Sequence, residues 1–441
     1  MRCSCWPARR LWRVRCALSI LAALSLAAGP ATATAADADA EPAPHAPAAV
    51  APEMGGALYG LYPMTREASG TSWQPDTAEM QGLHFEGGPW TIMAHGVLSG
   101  VYTDQGGPRG SSQLFNESLA MLTARHDGGA DVLSVRAMGS LEPLNGPRGY
   151  PLLFQTGETA DGRQPLVDRQ HPHNLLLEAA LAYSRQLSAT SSAFVYAGPV
   201  GEPALGPPAF MHRGSSADNP EAPLTHHWLD ATHVSFGVVT LGGIWRNWKL
   251  EGSAFNGREP DQHRYGVQLR GLDSTAVRLS YNPTAALSLQ LSSGRLASPE
   301  QLEPAVAVRR STASAIYDRV LETGHWQTTL AWGRNAPEGA RASDGYLLDS
   351  ALSLGASQRL YARLEQVVKD ELFQPPAPLA GQAFQIRKAS LGYLVEFAAG
   401  ARLRIGVGGV YSGYFATAAL DRAYGQDPES YTLFVRLRLA D

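Results

Sequence analysis

From Trp90 onward, apolar and polar residues alternate in short runs separated by Gly, Pro, Asn or Asp. The last run is the clearest. Tyr431, Leu433, Val435, Leu437 and Leu439 fall on one side of an extended chain, with Thr432, Phe434, Arg436 and Arg438 on the other. Leu403, Ile405, Val407, Gly409 and Tyr411 repeat this opposite Arg402, Arg404 and Gly406. Ala389, Leu391, Tyr393, Val395 and Phe397 do so opposite Lys388, Ser390, Gly392 and Glu396. Alternate side chains of a strand point to opposite faces, so each run predicts a strand with one apolar and one polar surface. Sixteen such segments are found, near 90–102, 114–125, 131–141, 175–187, 191–198, 232–244, 248–255, 272–281, 286–295, 310–317, 325–334, 346–354, 360–368, 384–397, 401–413 and 430–439. The segment at 175–187 also fits a short helix. No fixed-length repeat is present, which argues against a propeller or β-helix.

Sixteen amphipathic strands can bury their apolar face in a soluble core or turn it toward lipid. The polar faces carry Lys249, Glu251, Arg278, Arg363, Glu365, Arg436 and Arg438, which a wet lumen tolerates and a dry core does not. Trp90, Tyr102, Trp248, Tyr281, Trp326 and Trp332 lie near segment ends, where interfacial girdles form. The chain also ends on a strand, as closing barrels do, although Leu439-Ala440-Asp441 lacks the usual terminal aromatic. The expected fold is all-β: a transmembrane antiparallel β-barrel of about 16 strands (14–18), with long loops folded into or over the lumen.

Composition agrees with that expectation. Of 441 residues, 44% are apolar and only 17% charged, against about 25% charged in ordinary soluble proteins. A mean hydropathy of −0.16 excludes a bundle of membrane helices. A net charge of −4 argues against a nucleic-acid partner. Arg2, Arg9, Arg10, Arg13 and Arg15 precede the apolar run 17–28 and the small residues 31–36. That order predicts a secretory signal peptide over 1–35, cut near 33–36. Its five arginines and no acids leave 31 basic against 40 acidic residues, a mature net charge of −9. Cys3, Cys5 and Cys16 leave with it, so no disulfide, thiol nucleophile or thiolate site is expected. Residues 36–56 read as a flexible Ala/Pro-rich leader, 57–87 as an N-terminal arm or plug, and 88–441 as the outer-membrane barrel.

Candidate chemistry sits in the loops. Seven of twelve histidines lie between 168 and 263. AspArgGlnHisProHisAsn (168–174) and HisHisTrpLeuAspAlaThrHis (226–233) bring imidazole and carboxylate together, a donor set suited to zinc, copper or nickel. The candidate metal ligands are His171, His173, His212, His226, His227, Asp230 and His233. On a strand, His227 and His233 share a face opposite Asp230; on a helix, His226, Asp230 and His233 align. The alternative is that these groups only hydrogen-bond a loop packed inside the lumen. The spacing matches no zinc signature, and no nucleophile elbow, phosphate loop or HExxH is present, so no catalytic residue is assigned. Ser235 near His233 is the nominal pair for a lipid hydrolase. After Met1, every methionine lies before residue 212. Thioethers suit Cu(I), but residues spaced singly also serve as ordinary packing.

Several motifs resemble a family of Gram-negative outer-membrane proteins. They are LeuTyrProMetThrArgGluAlaSerGlyThrSerTrpGlnPro (61–75), TyrProLeuLeuPheGlnThrGlyGluThrAlaAspGlyArg (150–163), AspArgGlnHisProHis (168–173), MetHisArg (211–213), HisHisTrpLeuAspAlaThrHis (226–233) and GluGlySerAlaPheAsnGlyArgGluProAsp (251–261). SerTyrAsnProThr and SerProGluGlnLeuGluPro (within 280–304) extend the match over nearly the whole mature chain. The resemblance implies a β-barrel encoded beside copper and other heavy-metal resistance systems. Family leaders are often rich in His and Met; here the leader holds one of each before Gly55.

The resulting expectation is a porin-like outer-membrane conduit or binding protein, contacting membrane lipid and small solutes or metal ions such as Cu or Zn. A structural barrel without transport, or an outer-membrane lipid hydrolase, are the alternatives. Oligomeric state is left open.

Overall fold

The computed structural model describes residues 56–440; the expected signal peptide and most of the expected Ala/Pro-rich leader lie outside the described residues. Sixteen antiparallel strands form one closed barrel. In chain order the strands are β1 (Leu83–Gly87), β2 (Trp90–Gln105), β3 (Ser112–Asp127), β4 (Asp131–Gly139), β5 (Tyr150–Thr159), β6 (Pro165–Gln170), β7 (Leu176–Ser188), β8 (Ser191–Gly201), β9 (Ser235–Trp245) and β10 (Trp248–Phe255). They continue as β11 (Ser274–Thr284), β12 (Leu287–Leu296), β13 (Val308–Leu321), β14 (Gly324–Pro337), β15 (Ser343–Leu354), β16 (Gln358–Lys369), β17 (Phe384–Ala398), β18 (Leu403–Phe415) and β19 (Glu429–Leu439). The wall is β2–β4 and β7–β19, each paired with its neighbour. It closes where β19 meets β2, from Ser430 opposite Gln105 to Arg438 opposite Val97. Where β19 stops, β1 continues the seam along the same strand, from Leu83 opposite Ala94 to Gly87 opposite Trp90. Closure matters because it leaves no unpaired backbone edge for lipid to meet.

The sixteen predicted segments correspond one for one to these wall strands, and 175–187 is strand β7 rather than helix. The segment predicted at 232–244 starts later, at Ser235, because His226–Leu229 form a single turn of helix, α1, followed by a 3-10 turn at Ala231–His233. The faces sort as the alternation requires. Leu241, Leu330, Leu433 and Val435 are 52–63% exposed on the outside. Fully burying one such side chain is worth about 1.5–3 kcal/mol, so a belt of them is tenable only against lipid. Lys249, Glu251, Arg278, Arg363, Glu365, Arg436 and Arg438 are all buried inside.

Connections alternate in length. Those at 128–130, 189–190, 246–247, 285–286, 322–323, 355–357 and 399–402 are short and share one end. Those at 140–175, 202–234, 256–273, 297–307, 370–383 and 416–428 are long and share the other. In outer-membrane barrels the short turns face the periplasm and the long loops face outward.

The lumen is filled from both ends. Residues of the 57–87 arm that precede β1 sit in the short-turn half, sewn to the wall by polar contacts. Ser184 and Ser192 donate to the carbonyls of Leu58 and Tyr59, at 2.7 and 2.6 Å. Arg136 donates to the Gly70 carbonyl at 2.5 Å, and Thr77 N–H to Ala285 at 3.1 Å. In the long-loop half, β5 and β6 form a separate hairpin. Its Leu152, Leu153 and Phe154 pack against inner-wall Tyr361, Ile386, Val410 and Tyr414. The connection 202–234 fills the remaining space. Its α1 lies against β14 at Gly333, where a Cβ would stand 2.2 Å from the Trp228 carbonyl oxygen. A second single-turn helix, α2 (Asp421–Tyr424), belongs to the loop before β19.

Candidate functional site

Five histidines from two separate loops converge inside the barrel. His171 and His173 follow β6, which ends at Gln170; the proline between them favours extended backbone at His171. His226 and His227 lie on α1 and His233 on the 3-10 turn after it. Ring centroids are 5.1 Å apart for His226–His233, 5.2 Å for His173–His233 and 5.4 Å for His226–His227. His171 joins through His227 at 5.8 Å. Phe210 closes one side, 5.4 Å from His226 and 6.0 Å from His173. The helical alternative therefore holds for 226–233, with His226, Asp230 and His233 on one side.

Three of the rings, those of His173, His226 and His233, are oriented through Nδ1. His173 Nδ1–H donates to Glu142 at 2.8 Å, and the His173 backbone N–H reaches the same carboxylate at 2.9 Å. His226 Nδ1–H donates to Asp230 Oδ1 at 2.8 Å. His233 Nδ1–H donates to the Asp230 carbonyl at 2.7 Å. Asp230 is itself fixed by Arg213 at 2.8 Å on its other oxygen. With Nδ1 carrying the proton, Nε2 presents its lone pair. The Nε2 atoms of His173, His227 and His233 are buried and have no hydrogen-bond partner, whereas that of His171 faces the Glu158 carboxylate at 3.3 Å. Burial, and then the neighbouring imidazoles, hold His171 and His233 well below the ordinary histidine range. Burial lowers His226 too, against the pull of Asp230. At His173 burial also opposes the charged form, but Glu142 outweighs it and the net shift is upward.

The structure brings six of the seven predicted ligands together and places the seventh, His212, against Met138. His212 has no ring contact with the other five among the described residues; its Nε2 lies 3.3 Å from the Met138 sulfur instead. Burial, with His95 next, brings His212 down to about 3. A second histidine–thioether contact joins His84 Nε2 to Met80 at 3.2 Å, in the arm and β1; His45 and Met54 lie outside the described residues. Ser235 donates to the Thr232 carbonyl at 3.0 Å, so its partner is backbone rather than imidazole. Sequence reasoning missed Glu142. It is a lone acid in a 3-10 turn 31 residues from the histidine it orients, and no local pattern marks it.

Strand pairing, closure and the apolar outer belt define the class: this is an outer-membrane β-barrel. Its coordinates are similar to those of solved outer-membrane proteins. OmpF of Salmonella typhi, in complex with daunomycin, shares 10% identity at a TM-score of 0.48, covering 81% of this chain and 100% of that one. OprB of Pseudomonas putida at high pH shares 8% identity at a TM-score of 0.48, covering 79% and 94%. A loop L8 deletion mutant of OmpT of Vibrio cholerae shares 10% identity at a TM-score of 0.46, covering 79% and 99%. No protein-family model and no curated protein matches the chain.

Proposed function

We propose that the protein is an occluded outer-membrane barrel that binds a transition-metal ion, copper or zinc, on the imidazoles inside its lumen. The observation that carries this reading is that His173 and His233 each leave a buried Nε2 unpaired while Nδ1 donates to a carboxylate or a carbonyl. A buried polar group without a partner costs about 1–3 kcal/mol, and here two such groups share one site. Metal-bound histidine is oriented in this way, its other nitrogen donating to a carboxylate or carbonyl. The ring spacing also suits an ion. Two imidazoles on one tetrahedral ion, with metal–nitrogen bonds of about 2.0–2.1 Å, stand roughly 5 Å apart between centroids. The ligand nitrogens of His173, His226 and His233 are not all within 4.8 Å of one another, so binding turns the rings inward. Binding is favoured over free passage of solutes because the arm and the loops both fill the lumen.

The test is calorimetric titration of the detergent-folded full chain with Cu2+ and Zn2+, beside a His173→Ala/His233→Ala variant. Binding that is about 100-fold weaker in the variant is expected, since even second-layer changes cost about 10–100-fold at metal sites. Equal binding by both proteins sinks the proposal. In planar bilayers the unmodified chain should show no stepwise conductance.

A further inference from the structure

We propose that the long-loop mouth of the barrel carries a second cation site, built from His227, Glu259 and Glu300 and taking a divalent ion of the manganese or zinc class. It goes beyond the imidazole set, sharing none of His173, His226 or His233.

Among the described residues, these three offer one ligand atom each within 4.8 Å of one another. They come from three loops. Glu259 lies between β10 and β11, Glu300 between β12 and β13, and His227 on α1. The two acidic loops are clamped together: Glu259 N–H donates to the Pro299 carbonyl at 3.0 Å, and Arg258 Nε to the Ser298 carbonyl at 2.7 Å. The carboxylates are therefore held side by side rather than hanging free in solvent.

Glu259 is only 6% exposed. Both its carboxylate oxygens are buried without a hydrogen bond, as is His227 Nε2. His227 Nδ1 stands 3.8 Å from Glu259, beyond hydrogen-bond reach. The nearby guanidinium of Arg310 does not supply the missing partner. Its Nε donates to Asn335 at 2.9 Å, while its Nη1 is buried and unpaired. Two adjacent carboxylates repel unless one is protonated or a cation lies between them. The His227 ring is also fixed in place. Gly157, at φ +117°, passes so close that a Cβ there would stand 2.7 Å from its Cε1.

One imidazole and two carboxylates form a nitrogen–oxygen donor set, in which oxygen ligands suit Mn2+. An imidazole-only set binds Mn2+ weakest of the first-row divalent ions. Mn2+ therefore reads this site separately from the deeper one.

The experiment titrates the detergent-folded full chain with Mn2+ alone, following free Mn2+ by paramagnetic resonance. One ion per chain is expected, with affinity at least about tenfold weaker in Glu259→Gln and in Glu300→Gln. Glu303→Gln, an exposed neighbour, and His173→Ala/His233→Ala should leave it unchanged. Heat-modifiable electrophoretic mobility reports that each variant is folded. Absence of Mn2+ binding, or binding untouched by Glu259→Gln in a folded protein, overturns the site. Loss of Cu2+ or Zn2+ binding with Mn2+ retained would count against the imidazole site alone.

Discussion

Glu251 and Glu259 lie at opposite ends of the same filled lumen, and their comparison separates structure from function. Both are glutamates, 2% and 6% exposed. Glu251, on the wall beside the arm, accepts from Arg278 Nε at 2.9 Å and from the Thr71 hydroxyl at 2.5 Å, with Lys249 Nζ at 3.1 Å. Its charge is fully answered by protein. Glu259, at the long-loop mouth, has both oxygens buried and unanswered. Burial is common to both, so burial marks neither as a site. What differs is whether the fold supplies the partner, and at the mouth it does not. The same contrast appears within single rings: His173 and His233 are bonded at Nδ1 and left open at Nε2.

The sharpest way to break this comparison is to remove each carboxylate in turn. Glu251→Ala leaves Arg278 and Lys249 buried without their shared acid. Breaking a buried pair in this way costs about 3–5 kcal/mol. Glu259→Ala removes one of two repelling carboxylates and should change stability by less than about 1 kcal/mol, since no hydrogen bond is lost. Urea unfolding from lipid vesicles, followed by tryptophan fluorescence, measures both. If Glu259→Ala costs as much as Glu251→Ala, the mouth is a structural network like the arm.

Next in size is the group that orients the deep imidazoles. Glu142→Gln removes the charged acceptor of His173 Nδ1–H while keeping the side chain's shape. Metal sites lose about 10–100-fold in affinity when such an orienting carboxylate is removed. That loss should appear for Cu2+ and Zn2+ and be absent for Mn2+. Loss of Mn2+ binding as well would merge the two sites into one and undo the distinction between them.

The barrel and the site were legible in the sequence to different degrees, for a physical reason. Each wall strand sorts its own residues between lipid and lumen, so alternation is written locally; Leu433, Phe434, Val435 and Arg436 declare their faces without reference to any other strand. Histidines spaced as His171-Pro172-His173 and His226…Asp230…His233 are nearly as local, which is why the imidazole set was visible. Glu142, Glu259 and Glu300 carry no such mark. Each is a single acid in a loop, and only the tertiary path of those loops brings it to a histidine. Glu259 at least stood inside the motif at 251–261. His212 shows the opposite failure: close in sequence to the cluster, it is turned toward Met138 by the 3-10 turn at Phe210–His212.

The smallest expected effect is also the most local. Gly157→Ala adds one methyl group on the β5–β6 hairpin, at a left-handed φ and 2.7 Å from the His227 ring. Such a position costs alanine about 1 kcal/mol or more of stability. The ring must also shift, which disturbs its place beside Glu259 and Glu300. Mn2+ affinity should fall by a few-fold, less than on deleting either carboxylate, because the ligand is displaced and not lost. His173 and His233 belong to other segments and keep their partners, so Cu2+ and Zn2+ affinity at the deep set should stay within about twofold, as contacts beyond a shared partner are nearly additive. Equal weakening of Mn2+ and Cu2+ would mean that the hairpin positions both sites as one unit, and that the mouth and the interior are not independent.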